Sequence, residues 1–142
     1  MVPVIERLGG RARVHEVLAG AGLFELPDGL EMIPEGDAAR LHRRLRIEEP
    51  VLAPALSAEA GRRTADYVLA NRSPRPAQAV IRALPPALAA RVLSHAICQH
   101  AWTFAGSGSF RAVSPWTFEI EDNPLIRGEQ SEVPLCTWHA AV

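Results

Sequence analysis

The sequence predicts an α+β fold, rich in helix and carrying one small antiparallel sheet late in the chain. Three observations predict it. Apolar residues recur at helical spacing through most of residues 2–103. Two short stretches, 109–113 and 117–121, alternate instead, placing Phe110 and Ala112, then Phe118 and Ile120, on one side. A chain of 142 residues with 48% hydrophobic content is long and apolar enough for one domain with a real core.

Taken in order, residues 2–8 and 11–19 read as two helical pieces broken at Gly9-Gly10, the second with Val14, Val17 and Leu18 on one face. Residues 23–33 form a loop with a turn at Pro27-Asp28-Gly29. A helix over 34–47 begins with Pro34 in its first turn and Glu35 and Asp37 at the positive end of its dipole. Ala38, Leu41 and Leu45 are its apolar stripe, and Pro50 stops it. The longest helix, 51–72, carries Leu52, Leu56, Ala60, Thr64, Tyr67 and Val68 at helical spacing. Ser57, Gly61 and Ala65 make a row of small residues that another backbone can approach closely. Glu59 with Arg63, and Arg62 with Asp66, are surface pairs four residues apart. Past the stiff Ser73-Pro74-Arg75-Pro76 link come a short helix over 76–84 and a longer one over 86–103. Gly106-Ser107-Gly108 then turns the chain into the two strands, joined as a hairpin through Ser114-Pro115-Trp116. Residues 125–133 are loop, and a last helix starts near Pro134. On this reading the chain is a single domain with an N-terminal helical part, 1–74, and a core, 75–142.

Composition excludes several classes. The formal net charge of −1 gives no reason to expect nucleic acid or an acidic membrane as the main partner. Basic residues nonetheless cluster mid-chain: Arg40, His42, Arg43, Arg44 and Arg46, then Arg62, Arg63, Arg72 and Arg75. No stretch approaches the roughly 20 apolar residues that span a bilayer, and no secretory signal precedes the first helix. The expectation is a cytoplasmic protein, not transmembrane, whose Cys98 and Cys136 stay reduced.

Few residues point to chemistry. His95 and His100 are five apart on the 86–103 helix, about 140° around its axis, so they are not an i,i+4 metal pair. His95 groups with Arg91 and Gln99 on a polar side; His100 groups with Leu93, Ile97 and Phe104 on an apolar side. His100 therefore reads either as a core histidine satisfied by a backbone carbonyl or as a metal ligand or proton donor facing a pocket. Cys98, Cys136, His139 and His95 lack paired zinc-ligand spacing, and buried, inert thiols are the simpler reading. Trp102, Phe104, Phe110, Trp116, Phe118 and Trp138 crowd the C-terminal half. They are either an aromatic wall for a flat ligand or the packing of a hairpin on a helix. The arginines of the 34–47 helix either meet a carboxylate of a ligand or partner or form a solvated face. Gly106-Ser107-Gly108 follows a helix and precedes a strand, the reverse of a dinucleotide-binding turn. No flavin, iron–sulfur or NAD(P) motif is present, so no cofactor is identifiable and electrons for any reduction come from an external donor.

Several segments taken together carry a resemblance: Glu31-Met32-Ile33-Pro34-Glu35, AGRRTADYVLANR over 60–72, RPAQAVIRALP from Arg75, HAWTFAGSG from His100, EIEDNP from Glu119 and CTWHAA from Cys136. In these the chain resembles the 4-vinyl reductase domain, and most closely the bacteriochlorophyll 4-vinyl reductase family, which is related to small subunits of the TRAPP tethering complex. The resemblance implies helices packed on an antiparallel sheet around an apolar cavity. Family members run on past the position matching Val142, so the chain is expected to lack the family's C-terminal part.

The resemblance also implies a place in bacteriochlorophyll synthesis, at reduction of the 8-vinyl group (4-vinyl in older numbering) of divinyl protochlorophyllide or chlorophyllide. The chain then acts as the reductase, or as a pigment-binding protein associated with it. A non-catalytic magnesium-porphyrin carrier and a pure protein-interaction subunit are the alternatives. The expected ligand is a magnesium-porphyrin intermediate, with other enzymes of the pathway as partners. His100 is the expected axial ligand or proton donor, with Trp102, Phe104 and Tyr67 as wall residues.

Overall fold

The structure, a computed structural model, describes residues 1–25 and 33–142. The turn expected at Pro27-Asp28-Gly29 lies outside them. Among the described residues the chain forms α1 (Val2–Gly20), α2 (Glu35–Glu48), α3 (Ala53–Asn71), α4 (Arg75–Ala83), α5 (Pro86–Gln99), α6 (Trp102–Ala105), β1 (Ser109–Ser114), β2 (Thr117–Glu121) and α7 (Thr137–Ala141). This is the helix-rich α+β class with a two-stranded antiparallel sheet that the sequence predicts. Two compact units contain these elements: Met1–Ala65 with Leu125–Val142, and Asp66–Pro124.

In the first unit, α1 is kinked where the sequence places its break. Gly9 and Gly10 leave helical geometry, and Gly10 takes φ 68°, a region that costs any residue with a Cβ. The kink lets both halves of α1 contribute to one core: Ile5 from the first, Val14, Val17 and Leu18 from the second, with Leu45 of α2 and Ala53 of α3. Leu41 and Leu56 pack against its edge. The two acidic residues at the C-terminus of α2, where the dipole disfavours them, are met by Arg13 of α1, 3.0 Å from Glu48 and 2.8 Å from Glu49.

The buried face of α3 differs from the expected one. Ala53, Ser57, Ala60 and Gly61 are buried, whereas Leu52, Tyr67 and Val68 are exposed. The row of small residues wins because a main chain lies on it. A Cβ on Gly61 would collide with the Trp138 carbonyl oxygen and come within 3.0 Å of the Ala141 Cβ, both in α7. Of the two expected surface pairs, Arg63 does meet Glu59 at 2.9 Å, but Arg62 also turns to Glu59, at 3.0 Å.

In the second unit, β1 and β2 pair as predicted, with Phe110 opposite Ile120 and Ala112 opposite Phe118. The register shifts between Ala112 and Ser114. The Phe110 ring meets Phe104 edge-on at 5.3 Å and stacks on Phe118 at 5.5 Å. The Ser94 hydroxyl of α5 lies 2.6 Å from the Ala90 carbonyl oxygen and 3.0 Å from that of Pro115, which ties α5 to the hairpin turn. Beyond this the unit buries little: Ala90, Ser94, Ala101, Ala105 and Asn123.

Candidate functional site

The predicted helix over 86–103 is two helices. The break falls at His100, which takes φ −121° and ψ 14° and closes α5 at Gln99. Its backbone N–H bonds the Ile97 carbonyl at 3.0 Å, one residue short of the α-helical partner. The carbonyl thereby given up, that of Ala96, is reached by the His100 ring, with Nδ1 at 3.0 Å. The side chain thus caps an acceptor that the helix end would otherwise leave open. The chain restarts at once: the Thr103 N–H and hydroxyl bond the His100 carbonyl at 3.0 and 2.8 Å, opening the single turn of α6. No glycine or proline marks this break in the sequence, and helical spacing runs straight through it.

The break corrects the placement of His100. The imidazole is exposed and belongs to no apolar helix face; Leu93, expected beside it, is exposed as well. A carbonyl only accepts, so the ring nitrogen facing Ala96 is the protonated one. An exposed histidine anchored through Nδ1 is oriented to offer Nε2 to a metal in its neutral form.

Trp102 stands two residues on, 63% exposed, as the first residue of α6. Phe104 is half-buried against Phe110, so it serves the packing of the hairpin on the helices as well as any wall. The structure therefore gathers His100, Trp102 and Phe104 into one turn of chain. Tyr67, 51% exposed on α3, has no ring contact with them among the described residues.

Other candidates resolve differently. Cys98 and Cys136 are free thiols as expected, but exposed, which corrects the reading of buried, inert ones. Among the described residues no three His, Cys, Asp or Glu side chains gather as a metal site. Each arginine of α2 already meets a carboxylate, with Arg40 and Arg43 exposed and Arg46 largely covered. Arg46 binds Glu129 through both carboxylate oxygens and donates to the Leu125 carbonyl at 3.0 Å, while Arg43 reaches Glu129 at 3.2 Å. Burial alone would raise the Glu129 carboxyl, but the two guanidinium groups outweigh it and hold its pKa below the ordinary value. Arg40 meets Asp37 at 2.8 Å, and Arg44 pairs with Glu48. An open cavity of about 250 Å³ lies beside Arg46 and Glu129, walled by Pro54, Val133 and Leu135. It is below the roughly 300–1,000 Å³ typical of ligand pockets, and none of the four predicted ligand residues lines it.

Sequence reasoning missed one site outright. His42 of α2 is buried, edge-on to the Trp138 ring at 6.2 Å. Burial, then the charges of Arg46, the N-terminal amine and His139, push its pKa down to about 3. His42 was counted among the basic residues, yet it is a neutral core side chain. Its place one position after Leu41 and three before Leu45 was the available signal.

Comparison with known proteins bears on which chemistry these residues serve. The chain is 51% identical to the bacteriochlorophyll synthase 23 kDa chain of Cereibacter sphaeroides over all of its length and 70% of that protein. It is 46% identical to the protein of the same name from Rhodobacter capsulatus, over 99% of this chain and 67% of that one. The chain belongs to this family. No protein-family model and no solved structure matches. The family's name carries bacteriochlorophyll synthesis, in agreement with the resemblance drawn from the sequence, but it does not carry a vinyl-reducing step.

Proposed function

We propose that the protein serves bacteriochlorophyll synthesis by holding a magnesium-porphyrin intermediate of the vinyl-reduction step, with His100 as the axial ligand. The observation that carries this reading is the His100 Nδ1 contact with the Ala96 carbonyl at 3.0 Å, which leaves Nε2 as the outer nitrogen of an exposed ring, two residues before the exposed Trp102. Magnesium in a porphyrin is a hard centre with an open axial position, and a neutral imidazole anchored through its second nitrogen is oriented to fill it. Trp102 and Phe104 supply flat apolar surface for the macrocycle edge, and Tyr67 is the more distant candidate.

The pathway is supported by the relatives, each named as one chain of a bacteriochlorophyll synthase. Being named as one chain of a synthase also favours partners among the other enzymes of the pathway, at the cytoplasmic face. Among the described residues no helix is long and apolar enough to cross a membrane. In the carrier reading the pigment passes unchanged to a separate reductase; in the reductase reading an external donor supplies two electrons and two protons go to the vinyl group. Anaerobic incubation with divinyl protochlorophyllide and NADPH, followed by chromatography, separates them. Bound but unconverted pigment is the expected result. Monovinyl product would establish turnover and displace the carrier reading.

A further inference from the structure

The arginines of this chain fall into two populations. Every arginine from Arg7 to Arg63, and Arg111 and Arg127 beyond them, has a carboxylate within ion-pair distance. The four with none among the described residues are Arg72, Arg75, Arg82 and Arg91, all exposed and all in the second unit. The reason is written in the sequence: from Tyr67 to Phe118 there is no Asp or Glu, although the whole chain has 16 such residues against 15 arginines. A near-neutral protein has thus placed its unneutralised positive charge on one segment.

The same segment exposes apolar residues. α4 is strongly amphipathic yet buries no residue. Its polar Gln78 is spent inward, donating to the Leu69 and Ser73 carbonyls at 2.6 and 3.0 Å, while Val80 is 56% exposed. On α5, Leu88 and Val92, one turn apart, are exposed too, and the hairpin turn presents Trp116, 70% exposed.

We infer that this segment is a docking surface for an anionic phospholipid bilayer. Arginines without a carboxylate partner, of which Arg82 reaches only the Gln78 amide oxygen at 3.5 Å, meet lipid phosphates, aliphatic side chains enter the acyl boundary, and exposed tryptophan favours the headgroup level. Aliphatic residues among the charges favour a lipid surface over a nucleic acid, which would call for polar or stacking groups there. The inference stands on charge placement and does not depend on pigment binding.

The test is co-sedimentation of the full chain with phosphatidylcholine vesicles, with and without phosphatidylglycerol. Binding is expected only to the anionic vesicles, weakening as salt rises, with a blue shift of tryptophan fluorescence. Each surface charge is worth about fivefold in partitioning, so the triple variant Arg75→Gln, Arg82→Gln, Arg91→Gln should bind about a hundredfold more weakly. These side chains make no ion pair, so circular dichroism of the variant should match the parent. A matched variant lacking Arg7, Arg11 and Arg40, which are already neutralised, should bind like the parent. No binding to anionic vesicles would overturn the inference and leave an acidic protein surface as the partner. Equal binding to neutral vesicles, or equal loss in the matched variant, would also overturn it.

Discussion

Gly61 of α3 faces the carbonyl oxygen of Trp138 so closely that a methyl group on it would collide. The relationship explains why α3 turns its small residues inward: α7 reaches Gly61 at backbone distance, through the Trp138 carbonyl and Ala141. It also fixes the sign of a substitution. Gly61→Ala in an unencumbered helix would stabilise by about 1 kcal/mol. Here overpacking of about 1–3 kcal/mol opposes that gain, and urea denaturation should find the variant less stable than the parent. A more stable variant would remove α7 from this face.

Glu129 is predicted to anchor the 125–133 loop through Arg43 and Arg46. Glu129→Gln leaves two guanidinium groups without their carboxylate, one of them only 15% exposed at its side chain. A loss of about 1–2 kcal/mol is expected for a partly buried network of this kind. Unfolding in urea at neutral pH measures it, and a change within experimental error would show the network to be dispensable.

Two of the shifted groups, His42 and Glu129, act in different pH windows. His42 has its pKa lowered from 6.5 to about 3, so between those values the unfolded chain takes up a proton that the folded chain refuses. Its contribution is complete above pH 6.5 and is lost as pH falls toward 3, with a slope of at most about 1.4 kcal/mol per pH unit. Glu129, also lowered, contributes fully above the ordinary carboxylate value of 4.5 and loses its share below it. Replacing His42 with Leu should therefore flatten the stability profile between pH 6.5 and 4.5, where Glu129→Gln leaves the slope unchanged. An unaltered slope in the leucine variant would place the histidine in water.

Both thiols should react in the native protein. Cys98 and Cys136 are exposed, so a thiol reagent such as dithionitrobenzoate should titrate both without denaturant. Reaction of either one only after unfolding would contradict its placement.

Much of the fold was legible because local rules and packing agree. The glycine pair that kinks α1, the prolines that open α2 and α5, and the alternation of β1 and β2 each act within a few residues. The face of α3 was half legible: the small residues Ser57 and Gly61 marked a place for a close backbone, but only the distant α7 decides that they, and not the stripe of larger residues, are buried. The end of α5 was hidden for a related reason: His100 caps Ala96 with its own ring, a device with no compositional mark. The candidate site inherits both difficulties. His100, Trp102 and Phe104 are neighbours in sequence and stay together in space, whereas Tyr67 was joined to them only by resemblance. Arg43 and Arg46 of α2 looked like part of a free basic face because their partner Glu129 lies some eighty residues away, whereas Arg40 and Arg44 have theirs, Asp37 and Glu48, on the same helix.

The central claim is that His100 ligates the magnesium of a porphyrin intermediate. Titrating the purified chain anaerobically with divinyl protochlorophyllide, and following the Soret band, tests it most directly when parent and His100→Ala are run side by side. A saturable Soret shift is expected for the parent, and binding weakened at least about tenfold in a variant whose circular dichroism is unchanged. A folded parent that leaves the Soret band where it was, or a variant that binds as tightly as the parent, would contradict it.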